Sequence, residues 1–350
     1  TTCHQPFPVL KDYGDEFAGN GFVLKDNDAP RYYVDTGDKN LSLIRDLPFA
    51  LRLEGYLTHN TEVDHAADFT SPYLIKLLSG GALAKNLAYY FYFFFSERGE
   101  VAGLEDAFLM FNNLGGSELD LYVGQFQVSD PLFKRELRLP LEDYQVYRMT
   151  PAGSDLGLSY DRGIMATYGL ESGTDFVVEA VNGNGIGGAN SERLYDSDKY
   201  KAVMGRVSQD LPQLVRLGGF IFYGKEQLTP ATVNAVTMGG PDLTLTTDQL
   251  TLNLQYVERR DKHETGNFES TLKSRGAFAE AIYWPEGDRS RWYLTGLFNW
   301  TESDDNSEDY RTATGHVGYL LRTNFRLVGE LRYDLDAEET RFTLGFVSAF

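Results

Sequence analysis

Residues 341–350 read RFTLGFVSAF, and this stretch decides the fold class. Phe342, Leu344, Phe346 and Phe350 fall on one face, interrupted by Ser348, whereas Arg341, Thr343, Gly345, Val347 and Ala349 fall on the other. Side chains alternate between the two faces of a strand, so the segment is a strand with one greasy face and one small or polar face. A closing strand in lipid needs its apolar face to run to the membrane boundary, where aromatic residues prefer to sit.

The stretch before it repeats the pattern more strongly. In residues 325–335, Phe325, Leu327, Gly329, Leu331, Tyr333 and Leu335 point one way, and Arg326, Val328, Glu330, Arg332 and Asp334 the other. A packed soluble core accepts such charges only if each is paired, whereas a water-filled lumen hydrates them. A soluble β-sandwich or β-solenoid would have to cover the apolar face with a second sheet. The continuity of that face, on strands near about ten residues long, favours a barrel in lipid.

Working outward, alternation predicts sixteen strands: 49–57, 73–79, 87–95, 108–111, 119–126, 163–170, 176–181, 202–208, 217–224, 236–245, 250–257, 277–284, 292–300, 311–321, 325–335 and 341–350. Gly80 and Gly81 are read as opening a short turn, and the Pro-containing stretch 127–160 as a large loop. Short connections (GGALAKN, NNLGGS, ESGT, DLPQLV, TTDQ, PEGDRS, RTN) fall at every second position, with mostly longer, charged ones between them. Tight periplasmic turns alternating with longer outside loops are the asymmetry of an outer-membrane barrel. An even strand count returns the chain to its side of entry, which puts both termini in the periplasm. The expected class is therefore all-β, a transmembrane antiparallel β-barrel of residues 46–350, preceded by an irregular, Pro-, Gly- and Asp-rich periplasmic segment, residues 1–45.

Composition agrees. Mean hydropathy is -0.34, and the longest apolar run, LAYYFYFFF at 87–95, is far short of the roughly 20 residues of a spanning helix. A net charge of -19 argues against a nucleic-acid partner, because phosphate contacts need concentrated Lys and Arg. The single cysteine excludes an internal disulfide framework. The opening TTCHQPFPVLKDYGDEF has neither a basic nor an apolar leader region, so export would imply a leader already removed.

Few motifs carry chemistry. Residues 183–188, GNGIGG, satisfy a G-x-G-x-x-G spacing after a strand, but polar loop follows where a dinucleotide site needs a helix. His59, His65, His263 and His316 lack metal-ligand spacing to one another, and His316 aligns with Thr312 and Thr314 as a wall residue of the lumen. Asp304-Asp305-Asn306 and Asp196-Ser197-Asp198 are acidic outside loops that offer oxygen ligands to Ca2+ or a bridge to lipopolysaccharide, without a complete calcium-loop pattern. Arg52, Glu54, Arg326, Glu330, Arg332, Asp334 and Arg341 lie on strands near the closure seam, where they form a solute pathway or partner-docking surface or else hydrate the wall. The acidic balance implies a mild cation preference. No constellation supports an enzyme acting on lipid.

Cys3-His4 has the form of the second half of C-x-x-C-H, the haem c attachment motif. Together with Phe7-Pro8-Val9-Leu10, Tyr13-Gly14 and Asn20-Gly21-Phe22, it resembles outer-membrane porin-like proteins that open on a haem-type C-x-x-C-H and F-P-x-L segment. Echoes continue in Gly80-Gly81, Ala279-Glu280-Ala281, Tyr319-Leu320-Leu321 and Leu344-Gly345-Phe346. That resemblance implies the porin part of a porin-cytochrome conduit, with Cys3 attaching haem, His4 ligating its iron, and a c-type cytochrome as partner. The first cysteine of the motif would fall immediately before Thr1, and without it one thioether or none is left. The alternative is a passive diffusion porin for small hydrophilic solutes, with residues 1–45 as plug or mouth. Either version sits in outer-membrane lipid, with a homo-oligomer as a further partner expectation. By resemblance to outer-membrane proteins in general, Phe350 is the assembly signal, and deleting it is expected to impair insertion.

Overall fold

The computed structural model describes residues 10–23, 33–34, 36–38, 41, 43–44, 48–61, 67–133, 139–196, 198–211, 214–266 and 268–350. A short ribbon, β1 (Tyr33–Val34) paired with β2 (Leu43–Ile44), precedes the barrel. The barrel strands are β3 (Phe49–Asn60), β4 (Ala67–Ala84), β5 (Leu87–Glu97), β6 (Gly103–Phe111), β7 (Leu119–Gln127), β8 (Tyr160–Gly169), β9 (Thr174–Val181) and β10 (Ala202–Leu211). They continue with β11 (Val215–Thr229), β12 (Thr232–Thr246), β13 (Leu250–Thr265), β14 (Phe268–Tyr283), β15 (Trp292–Ser303), β16 (Tyr310–Arg322), β17 (Phe325–Asp334) and β18 (Glu339–Ala349). Each pairs antiparallel with the next, and β18 returns to β3, so the sheet closes on itself. Closure removes every sheet edge, which hydrocarbon would leave without hydrogen-bond partners.

The pleat sorts the side chains. Along β15, Trp292, Leu294 and Phe298 are exposed outward, while Tyr293, Thr295, Leu297 and Asn299 are buried inward. Large apolar residues such as Ile164, Val178, Val203, Ile221, Leu331 and Leu344 cover the outer wall. At the seam Val347 faces Glu54 and Ala349 faces Arg52, and Leu51 and Phe350 exchange N–H···O bonds of 2.6 and 2.9 Å.

The structure differs from the alternation pattern in three places. Gly80 and Gly81 lie inside β4, and the chain turns instead at Lys85 and Asn86, where Asn86 takes the left-handed conformation with φ 59°. Glycine is needed at position 80 for another reason: a Cβ there would meet the ring of Phe22 at 3.0 Å and that of Tyr90 at 2.9 Å. Second, the stretches after Gly224 and Val257 are strand rather than long outside loops. β11 and β12 are joined at Pro230 and Ala231, and β14 begins only three residues after β13 ends. Their polar outer ends carry cross-strand pairs such as Thr232–Thr265 (2.9 Å) and Lys262–Glu269, so the ladder outlasts the greasy pattern.

Third, the N-terminal segment contains α1 (Asp12–Gly19). Lys11 pairs with Asp288 at 2.8 Å, in the turn between β14 and β15, and Asn112 Nδ2 donates to Gly19 O at 2.7 Å from the turn after β6. Both turns belong to the short-turn end, so α1 sits at that mouth. Phe22 then enters the lumen and stacks on Tyr90 with ring centroids 5.8 Å apart.

Candidate channel lumen

Of the connection between β7 and β8, residues 128–133 and 139–159 fold back inside the barrel. Val128, Leu132, Phe133, Tyr144, Val146, Tyr147, Met149, Leu156 and Leu158 are buried in one cluster with inward residues of the wall, among them Met204, Phe222, Met238, Val257 and Phe278. Tyr144 stacks on Phe278 with centroids 3.9 Å apart and planes 10° from parallel. Each fully buried Leu or Phe of this kind contributes about 1.5–3 kcal/mol, so the lumen holds an apolar core of its own.

Polar anchors fix the segment. Tyr144 donates to Glu280 at 2.8 Å, and Tyr147 to Gln255 at 3.1 Å. Asn299 donates to Asp143 O (2.8 Å) and accepts from Gln145 N–H (3.2 Å). Arg259, fully buried, donates to Met149 O (2.8 Å) and Leu156 O (2.7 Å) while its Nε and Nη2 grip Asp261. Glu226 accepts from Ser154 Oγ and from Asp155 N–H. At the outer rim Glu308 accepts from Thr150 N–H at 3.0 Å. Burial raises the Glu308 carboxyl above its ordinary range, and this outweighs that hydrogen bond.

On the neighbouring strands β16–β18 one carboxylate carries the contact. Glu142 accepts from Tyr310 Oη at 2.7 Å and from Arg341 Nη2 at 2.6 Å, and Arg332 Nε lies 3.2 Å away as an ion pair. Arg332 also binds Asp334 (2.6 Å), and Arg341 lies 3.5 Å from Glu330. Lower on the seam Arg52 pairs with Glu54, which accepts from Tyr56 Oη at 2.5 Å. Arg326 donates to Tyr293 Oη at 3.1 Å, and His316 Nε2 meets the same oxygen at 3.1 Å.

Beside this wall remains a cavity of about 120 Å³, lined by Glu54, Glu97, Glu105, Glu142 and Asp143, by Arg52 and Arg98, and by apolar groups including Tyr73, Phe94 and Tyr160. Above it Lys76 sits over the ring of Tyr92, 3.3 Å from its centroid, and Tyr92 is hydrogen-bonded to Tyr160.

The seven lumen residues expected from sequence therefore converge on one side: Arg52 with Glu54, Arg332 with Asp334, Arg341 with Glu330, and Arg326 with Tyr293. Alternation did not identify Glu142, Asp143, Arg98, Arg259 or Tyr310. Glu142 and Asp143 lie in the aperiodic segment, and only its scattered Tyr, Val and Leu residues hinted at an interior position. Phe350 is exposed on the outer face beside its bonds to Leu51. Cys3, His4 and His65 lie outside the described residues. In 183–188, Asp161 accepts from Gly183 N–H (2.7 Å) and Arg162 donates to Ile186 O and Gly187 O, so the stretch is a pinned loop. Asp305 accepts from Ser303 and Ser307 within its own turn, and Asp196 binds Lys201. Among the described residues no group of three or more His, Cys, Asp or Glu is arranged to hold a metal ion.

Solved structures share the architecture. An anion-selective porin from Comamonas acidovorans superposes with TM-score 0.64 at 11% identity, covering 87% of this chain and 99% of that one. OmpT of Vibrio cholerae, in-vitro folded and in its trimer form, gives 0.61 at 11% identity, with 87% and 99% covered. The outer-membrane channel DcaP of Acinetobacter baumannii gives 0.58 at 13%, with 87% and 97% covered. The fold is that of the outer-membrane porins. No protein-family model matches the chain, and no curated protein matches it in sequence.

Proposed function

We propose that the protein is an outer-membrane channel of narrow bore for small hydrophilic solutes, with a mild preference for cations and both termini in the periplasm. The observation that carries this reading is the lumen segment formed by residues 128–133 and 139–159. It fills one side of a barrel with an apolar outer wall and leaves beside the other a cavity where five carboxylates, Glu54, Glu97, Glu105, Glu142 and Asp143, face two guanidiniums, Arg52 and Arg98. Fixed charges of one sign in a narrow, low-dielectric passage favour the opposite ion. The outer wall would meet lipid and, at the outer rim, lipopolysaccharide. An oligomer of such barrels belongs to the same reading, since one similar structure is described as a trimer. In a planar bilayer under a KCl gradient, the purified protein is expected to give small, discrete conductances with a reversal potential on the K+ side. No conductance, or an anion-side potential, would overturn it.

The cytochrome-linked conduit is the second reading. It rests on the Cys3-His4 resemblance, and the position of Lys11 at the short-turn rim supports it, because a haem carried just upstream would have that mouth within reach. The cavity is too small for a cytochrome, so a partner would dock at the rim. An absorption spectrum with an intact mass tests the reading: a Soret band and a haem adduct are expected, and their absence in the full-length protein would reject haem attachment to this chain.

A further inference from the structure

The cluster around Glu142 has the chemistry of a ligand site filled by the chain itself. Tyr310 Oη and Arg341 Nη2 donate to the two oxygens of one carboxylate, 2.7 and 2.6 Å away, with Arg332 alongside at 3.2 Å. Two guanidiniums and a hydroxyl around a single carboxylate form a fork-like recognition geometry. The cradle has a donor to spare: among the described residues the buried Arg341 Nε has no hydrogen-bond partner, a costly state inside a protein. Its residues stand at the ends of β16, β17 and β18 that open to the long-loop side, Tyr310 being the first residue of its strand and Asp334 the last of β17. A solute arriving from outside would meet this cradle before the cavity below it.

The surroundings restrict what can replace Glu142. A simple carboxylate would join Glu54, Asp143, Glu330 and the displaced Glu142 itself, and like charges packed together are unfavourable. A solute that also bears a cationic group adds no net charge, and its cation meets those acids. Resting on the channel reading, we propose that Tyr310, Arg332 and Arg341 form a binding site for the carboxylate of small zwitterionic, amino-acid-like solutes, with Glu142 as the tethered stand-in that the solute displaces.

The test uses calorimetric binding of 4-aminobutyrate, butyrate and inorganic phosphate to the folded, detergent-solubilised barrel, which does not depend on conductance. Glu142→Ala is expected to bind 4-aminobutyrate at least tenfold more tightly than the parent protein does, and more tightly than butyrate or phosphate. Adding Arg341→Gln to that variant is expected to reverse the gain by tenfold or more. Folding of each variant is checked by its heat-modifiable gel mobility, and Glu142→Gln serves in place of an alanine variant that fails to fold. Absence of 4-aminobutyrate binding in folded Glu142→Ala or Glu142→Gln, or binding indifferent to Arg341→Gln, overturns the site. Butyrate binding as tightly as 4-aminobutyrate overturns the zwitterion requirement. Failure of the channel reading would show separately, as absence of conductance in a protein that still binds the solute.

Discussion

Along β11–β15 the lumen segment is held by stacked and buried side chains, Tyr144 on Phe278 and Leu156 among Val257 and Phe222. Along β16–β18 it is held by Glu142 between Arg332, Arg341 and Tyr310. Apolar packing has no competitor in water or solute, so the first side sets where the segment sits. Exposed ion pairs exchange readily with other charged groups, so under the channel reading the second side is where passage would be tuned. A lumen of this kind joins a soluble-like core to a polar passage.

Substitutions can break that contrast. The largest effect is expected from Arg259→Ala, which removes the donor to Met149 O and Leu156 O and leaves Asp261 buried without its partner. Losing one member of a buried pair costs about 3–5 kcal/mol. The expected readouts are a lower denaturant midpoint and new protease cleavage within residues 139–159, and an unchanged midpoint would show that the segment is held by packing alone. Leu156→Ala follows at about 3 kcal/mol, because Leu156 is fully buried and its methyls line the spaces beside Gly183 and Gly224. The same denaturant titration checks it.

On the polar side, Glu142→Gln should cost only about 1–2 kcal/mol, since the amide still accepts one hydrogen bond. Its larger effect is expected in single-channel recordings, as higher conductance and weaker cation preference. If stability collapsed while conductance stayed constant, the assignment of the two sides would be reversed.

The smallest effect concerns Glu308. Its raised carboxyl pKa means that the folded state holds this proton more tightly than the unfolded chain does. The stability this group contributes is therefore complete below the ordinary carboxyl value of 4.5 and lost as pH rises through the folded value. Glu308→Gln keeps an acceptor for Thr150 N–H and should flatten that part of the pH profile, measured as unfolding midpoint against pH.

The barrel was legible because an apolar outer face and a polar inner face impose opposite demands on successive residues, and 325–335 and 341–350 obey both. All sixteen predicted strands occur, in order. Extents were less legible: beyond the apolar band the outer face turns polar, so the ends of β11–β14 lost the signal while keeping their ladders. Gly80 misled for a different reason, since glycine marks a turn and a close ring approach equally well. The lumen segment was hidden because its apolar residues pack as irregular chain with no repeat. One clue was present on the wall, where inward positions such as Val177, Val181, Met204 and Met238 are apolar and so required a cover that water does not provide.

The bonds between Leu51 and Phe350 also bear on how the chain comes together. β3 is the first barrel strand made and β18 its last partner, so one edge of β3 stays open until the whole sheet exists. Such a distant pairing is slow, and an open apolar edge invites pairing with other chains in the meantime. Closure is thus the final and committing event of folding, and a newly made chain depends on protection from its neighbours until that seam zips.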